Sequence, residues 1–197
     1  MSGKHLDHVV VVDVESTCWD GAPPAGQESE IIDVGVCLLD VATGERLERE
    51  SMLVRPRLSS VSSCCQQLTG IGQADVEQGL PFEEACAVLA KRFKCRERIW
   101  ASYGDYDRRQ FERQCARDGV RYPFGPTHVN VKALFALVRG LPAEVGMSEA
   151  LEFMGLPLEG RHHRGGDDAW NIAAILSRIM LTARPAVSAR RPYATSR

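Results

Sequence analysis

Four consecutive valines, Val9 to Val12, run into Asp13, Val14 and Glu15, and no other stretch constrains the fold as strongly. The run is too short to span a bilayer and too rich in β-branched side chains for a comfortable helix. It therefore predicts a strand from His8 to Thr17 that is buried on both faces. Alternate side chains of a strand share a face, so Val9, Val11, Asp13 and Glu15 project together, and an apolar row ends in two neighbouring carboxylates. Carboxylates that close repel, and burying one without a partner costs several kcal/mol or keeps it protonated. A divalent cation between them removes both penalties, and an all-oxygen donor set suits Mg²⁺ or Mn²⁺. Taken alone, an Asp-x-Glu triplet also fits a strand whose exposed end merely carries acids.

A second acidic position narrows that choice. From Asp168 to Ile179 the apolar residues recur with helical period, and Asp168 falls in line with Ile172, Ile175 and Ile179. Asp167, Asn171 and Arg178 fall on the opposite side, which is expected to be wet. An acid in a first helical turn also stabilises the helix dipole, a role that suits Asp167 better than Asp168. His163 lies five residues before Asp168 across a glycine-containing loop, Arg164-Gly165-Gly166-Asp167, that can carry its ring over the carboxylates. Between these ends, Arg98 to Tyr103 reads as a strand, Gly104 as a break and Asp107 to Cys115 as a helix. Asp105 and Asp107 both stand at that junction. Asp107 shares a helical face with Phe111 and Cys115 and so points to the core, whereas Asp105 is placed to cap the helix.

The segment Val12-Asp13-Val14-Glu15-Ser16-Thr17-Cys18, the Tyr106-Asp107 site and His163-x4-Asp168 resemble the three exonuclease motifs of the DnaQ-like DEDDh superfamily. Glu30 to Val36, Val54-Arg55-Pro56, Leu68-Thr69-Gly70-Ile71 and the stretch from Gly160 to Ala173 resemble the ERI/3′hExo-type 3′→5′ exoribonucleases and their KapD-like relatives. The resemblance covers about residues 6 to 180. Ser16 departs from it, since relatives often carry a small apolar residue there, and so does the acidic pair Asp105 and Asp107.

The resemblance implies a ribonuclease H-like α/β fold with a central mixed five-stranded sheet flanked by helices. It implies two Mg²⁺ or Mn²⁺ ions held by Asp13, Glu15, Asp107 and Asp168, with His163 as general base. Glu15, the main chain at Ser16, and His163 would meet the terminal nucleotide. The expected activity is removal of nucleoside 5′-monophosphates from free 3′ ends of single-stranded RNA or short oligonucleotides. Two other readings stand beside it: a DNA exonuclease of the same fold, which would share every metal ligand, and a nucleic-acid-binding domain without chemistry. The complete ligand set argues against the latter.

Composition bounds the remainder. A chain of 197 residues can bury one substantial core, so residues 1–182 are expected to form one catalytic domain, followed by a disordered Arg- and Pro-containing tail at 183–197. With 24 basic and 26 acidic residues the net charge is −2, and four of the basic ones, Arg184, Arg190, Arg191 and Arg197, lie after Met180. Such a body does not grip long nucleic acid through general basicity. No signal peptide or membrane span is evident, so a cytoplasmic protein is expected. The seven cysteines contain no C-x-x-C pair and read as reduced, packed thiols. Trp19, Trp100 and Phe124 fit core or loop packing better than base stacking.

Further strands are expected at Ile31–Leu39, Arg49–Val54 and Val129–Val131, the first two forming an antiparallel meander with strand one. Helices are expected at Ser60–Leu68, closed by Gly70, from Phe82 behind Pro81, at Lys132–Val138 after the short fifth strand, and at Ser148–Met154, stopped by Gly155.

Overall fold

The computed structural model describes residues 5–184. Strands β1 (His5–Ser16), β2 (Ile31–Asp40) and β3 (Arg46–Leu53) form the expected antiparallel meander, joined at Asp40–Gly44 by a turn in which the Asp40 carboxylate accepts from the Thr43 N–H at 2.7 Å. β4 (Arg98–Ser102) adds parallel to β1, and β5 (His128–Asn130) adds parallel to β4. The result is one mixed sheet in the order β3-β2-β1-β4-β5. Helices α1 (Ser63–Thr69), α2 (Gln73–Glu77), α3 (Phe82–Lys91), α4 (Tyr106–Asp118), α5 (Val131–Arg139), α6 (Met147–Phe153) and α7 (Gly165–Thr182) complete the chain.

The alternation along β1 divides the core in two. Val10, Val12 and Val14 pack with Phe82, Leu89, Trp100 and Phe111 on the side covered by α3 and α4. Val9 and Val11 pack with Phe135, Leu151, Ile172, Ile175 and Ile179 on the side covered by α5, α6 and α7. Asp13 and Glu15 continue that second row to the end of the strand. Burial of each such valine contributes roughly 1.5–3 kcal/mol and anchors the strand that carries the acids. Trp100 is buried and stacks on Phe124 with ring centroids 4.0 Å apart.

Three departures from the sequence expectations have physical causes. β3 begins at Arg46, three residues before its expected start, because its alternating charges suit an edge strand with one wet face. The short helix α2 is unexpected; its N-terminus at Gly72 is closed by the Asp75 carboxylate, which accepts from the Gly72 N–H at 2.8 Å. Asn171 is fully buried, contrary to its expected wet position. It accepts from the Glu159 N–H at 3.0 Å and donates to the carbonyls of Glu159 and Asp167, both at 2.9 Å, tying the preceding loop to α7.

The N-terminus of α7 lies flush on the sheet. A Cβ on Gly35 would collide with the Gly165 backbone, and one on Gly166 would come within 2.9 Å of the Glu50 carbonyl oxygen. At the other end Ala183 caps α7 and the Arg184 guanidinium donates to the Ala42 carbonyl at 2.6 Å and to that of Val41. From residue 185 the expected tail lies outside the described residues. All seven cysteines are free thiols. No helix among the described residues is long and apolar enough to cross a membrane.

Candidate active site

Asp13 and Glu15 close the apolar row of β1, and α7 brings Asp168 over them. Oxygens of Asp13, Glu15 and Asp168 all lie within 4.8 Å of one another. Glu15 and Asp168 are buried, while Asp13 keeps a partial opening to solvent. Asp107, in the first turn of α4, is buried beside this triplet, its carboxylate accepting from the Val14 N–H at 2.9 Å. That hydrogen bond spans 93 residues and fastens α4 to the strand that carries the two leading acids. Asp105 stays half-exposed at the N-cap and pairs with Arg108 at 3.2 Å. Of the two acids at that junction, Asp107 is the one delivered to the cluster.

Crowding shows in the acidities. Burial raises Asp13 well above the ordinary carboxylate range, and the charges of Asp107, Glu15, Asp168 and Asp33 add to it. Glu15 is pushed up to about 8, by burial first and then by Asp168, Asp33 and Asp107. Burial lifts Asp107 to about 6 against the Val14 hydrogen bond. Asp168 also rises through burial, opposed by His162 and by the His163 N–H, which donates to it at 2.8 Å. Among the described residues no lysine or arginine pairs with any of the four; their ion-pair contacts are with histidines only. An all-oxygen, charge-frustrated cluster of this kind is matched by a divalent cation, which would neutralise it without asking for a proton.

His163 sits at φ 65°, a left-handed conformation, in the loop before α7. Its Nδ1 lies 4.0 Å from Glu15 Oε1, and its ring stacks on His162 at 4.0 Å between centroids. Partial burial first, and then the neighbouring His162, hold its imidazole below the ordinary histidine range, with Asp168 pulling the other way. It is therefore neutral, and able to accept a proton, at neutral pH. Ser16, at the bulge that ends the β1–β2 pairing, is buried; its carbonyl accepts weakly from Cys65 Sγ at 3.6 Å, and its hydroxyl has no protein partner.

Three further residues shape the site and were not singled out from the sequence as site residues. His162 places Nδ1 at 3.0 and 3.1 Å from the two Asp168 oxygens. Asp33, opposite Glu15 across the β1–β2 pair, accepts from Ser51 Oγ at 2.6 Å and from the Gly165 N–H at 3.1 Å. Glu30 accepts from the backbone N–H groups of Arg57, Leu58 and Ser59, from the Ser59 hydroxyl at 2.7 Å and from Arg117 at 2.9 Å. Ser59 in turn meets Thr17 at 3.0 Å, so this knot pins the chain just beyond Ser16. An acid inside the apolar run Ile31-Ile32-Asp33-Val34 was the one available signal for Asp33.

With this geometry in view, the Exonuclease (RNase_T) family profile matches residues 10–176. The chain belongs to the exonuclease family. This exonuclease chain is 29% identical over 196 residues to the Drosophila melanogaster 3′-5′ exonuclease Snipper, the match covering 88% of the chain and 69% of the fly protein. It is also 29% identical over 188 residues to the Homo sapiens 3′-5′ exoribonuclease 1, covering 90% of the chain and 53% of the human protein. The chain thus spans about half the length of that human relative. The nuclease domain of 3′hExo, a DEDDh family member solved bound to rAMP, superimposes with a TM-score of 0.83 at 28% identity, covering 92% of this exonuclease chain and 96% of that domain. The ribonuclease H-like fold expected from the motifs is the fold observed, and the DEDDh exonucleases to which it belongs depend on divalent metal ions.

Proposed function

We propose that this protein is a 3′→5′ exoribonuclease that releases nucleoside 5′-monophosphates from free 3′ ends of single-stranded RNA or short oligonucleotides, using two Mg²⁺ or Mn²⁺ ions. The observation that carries the reading is the gathering of Asp13, Glu15 and Asp168 oxygens within 4.8 Å, with Asp107 beside them and His163 4.0 Å from Glu15. Preference for RNA rests on the human relative, named a 3′-5′ exoribonuclease, and on the 3′hExo nuclease domain, solved with rAMP. Residues 1–182 would constitute the catalytic domain.

Asp13, Glu15, Asp107 and Asp168 would hold the ions. Bound there, the pair of ions supplies neutralisation of the crowded negative phosphate and of the leaving 3′ oxygen. The remaining steps belong to the protein. His163, neutral and partly exposed, would take the proton of the attacking water. Glu15 would accept from the 3′ hydroxyl of the terminal nucleotide and the Ser16 main chain would meet the same nucleotide, so that a free 3′ end is what the site reads. The net negative charge of the chain fits small or unstructured substrates better than a grip along a long nucleic acid.

The test is purified protein with a 5′-labelled oligoribonucleotide in Mg²⁺ and in Mn²⁺. Stepwise 3′ shortening that vanishes in an Asp13→Ala variant is expected; no shortening with any divalent ion would sink the proposal. Competition between matched RNA and DNA strands decides between the exoribonuclease and a DNA exonuclease.

A further inference from the structure

α7 carries Asp168 yet lacks a cap of its own. Its N-cap residue, Arg164, makes no side-chain hydrogen bond to the helix, although the first N–H groups of any helix need acceptors. The missing acceptor comes from another strand. Asp33 on β2 is fully buried, and one oxygen takes the Gly165 N–H at 3.1 Å while the other takes the Ser51 hydroxyl of β3 at 2.6 Å. The same carboxylate faces Glu15 across the β1–β2 register. Close approach of the backbones is secured by Gly35 against Gly165 and by Gly166 against Glu50, positions where no Cβ fits without displacement. One side chain therefore joins the strand beside the leading acids, the edge strand, and the helix that delivers the last acid.

We infer that Asp33 is a positioning residue for the metal site: it caps α7 from the sheet and thereby sets the separation of Asp168 from Asp13 and Glu15. The inference rests on the proposed metal-dependent reading and adds a residue to it. Asp33 is fully buried and bonds to the protein on both oxygens, so it acts through the helix that carries Asp168 and not as a ligand. Its role parallels that of outer-shell partners generally, whose loss costs about 10–100-fold in metal affinity.

The experiment measures Mn²⁺ affinity of the full chain by isothermal titration calorimetry, with turnover of a short oligoribonucleotide alongside. Asp33→Ala is expected to weaken Mn²⁺ binding about 10–100-fold and to lower kcat at saturating Mn²⁺ while leaving KM for the oligonucleotide nearly unchanged. Asp33→Asn keeps an acceptor for the Gly165 N–H and is expected to recover most of the loss. Asp40→Asn, which alters an acid at the far end of the same strand, opposite His8 and away from the N-terminus of α7, is expected to bind Mn²⁺ like the wild type. Unchanged Mn²⁺ affinity in a folded Asp33→Ala protein would overturn the inference and leave the nuclease reading intact. So would an Asp33→Asn variant no better than Asp33→Ala, or an equal loss in Asp40→Asn. Should Asp33→Ala fail to fold, Ser51→Ala, which frees one of the two Asp33 oxygens, decides: weaker Mn²⁺ binding supports the inference and unchanged binding overturns it. Absence of Mn²⁺ binding in the wild type would remove the metal-dependent reading itself, a distinct result.

Discussion

Two groups of acids are buried at the same end of the sheet, and they are treated in opposite ways. Glu30, at the entrance to β2, is surrounded by donors: three backbone N–H groups, a hydroxyl and the Arg117 guanidinium. Burial works against its charge, yet the hydrogen bonds from Ser59, Leu58 and Arg57 outweigh it and hold the carboxyl below its ordinary value. Asp13 and Glu15, on the adjoining strand, are given other acids as neighbours and are driven the other way. A carboxylate that the protein satisfies by itself is architecture. A group of carboxylates that the protein crowds together and leaves without a lysine or arginine ion-pair partner is a site suited to something positive.

Activity breaks the comparison most sharply. Asp13→Asn is expected to abolish 3′ shortening, whereas His163→Asn should lower kcat by about 10²–10⁴-fold, the usual contribution of a general base; single-turnover assays on a labelled oligoribonucleotide check both. The same Asp13→Asn change should leave the metal-stripped protein as stable as the wild type or more so, because it replaces an acid whose charged form burial and the neighbouring carboxylates disfavour. Glu30→Ala should do the reverse on stability. It orphans several buried donors and one side of an ion pair, for an expected loss of about 3–5 kcal/mol in urea unfolding. Equal stability losses at Asp13 and Glu30 would erase the distinction between them.

Acidity offers a smaller and more specific handle. In the folded chain Glu15 titrates at about 8 against an ordinary 4.5, so it keeps a proton that the unfolded chain has already released. Folding then binds protons between those two values, and stability falls as pH rises from about 4.5 to about 8. The expected loss is on the order of 2–4 kcal/mol in chelator. Glu30 has the opposite sign, its contribution being present above the ordinary carboxylate value and lost as pH falls below it. Saturating Mg²⁺ should flatten the Glu15 limb and leave the Glu30 limb in place. Denaturant midpoints across pH, with and without the ion, check this; a metal-insensitive slope above pH 5 would contradict it.

The legible parts of this molecule are those written in short-range pattern. The valine run, the period-3.6 stripe behind Asp168 and the Gly and Pro punctuation placed β1, α7 and most of the intervening elements, because each reflects burial of one face by neighbours in sequence. Asp107 was likewise legible, through its alignment with Phe111 and Cys115. What escaped was anything whose meaning depends on a partner far along the chain. Asn171 looks solvent-facing by helical phase, but the loop at Glu159 folds over it and supplies both a donor and an acceptor. Asp33 acquires its role only when Gly165, 132 residues later, arrives with an unpaired N–H. The charges of β3 concealed its full length because an edge strand can keep every other side chain wet. Periodicity reports which face is buried and is silent about what covers it.

The junction before α4 supplies the finest test of the comparison, because it sets two acids two residues apart in contrasting surroundings. Asp107 is buried and holds the Val14 N–H, with burial lifting its carboxyl to about 6. Asp105 is half-exposed, makes no capping hydrogen bond to α4, and shares its charge with Arg108 on the same helix at 3.2 Å. An exposed pair at that spacing contributes about 0.3–0.5 kcal/mol. Asp105→Asn should therefore change stability by no more than about 0.5 kcal/mol and leave exonuclease turnover within about two-fold, a near-neutral substitution. Asp107→Asn keeps an acceptor for Val14 and so should also fold, yet it removes a charge from the cluster and should cost most of the activity. If the two variants exchanged these phenotypes, burial would not be what separates the acids that build the site from those that decorate it, and the contrast drawn between Glu30 and Asp13 would lose its basis as well.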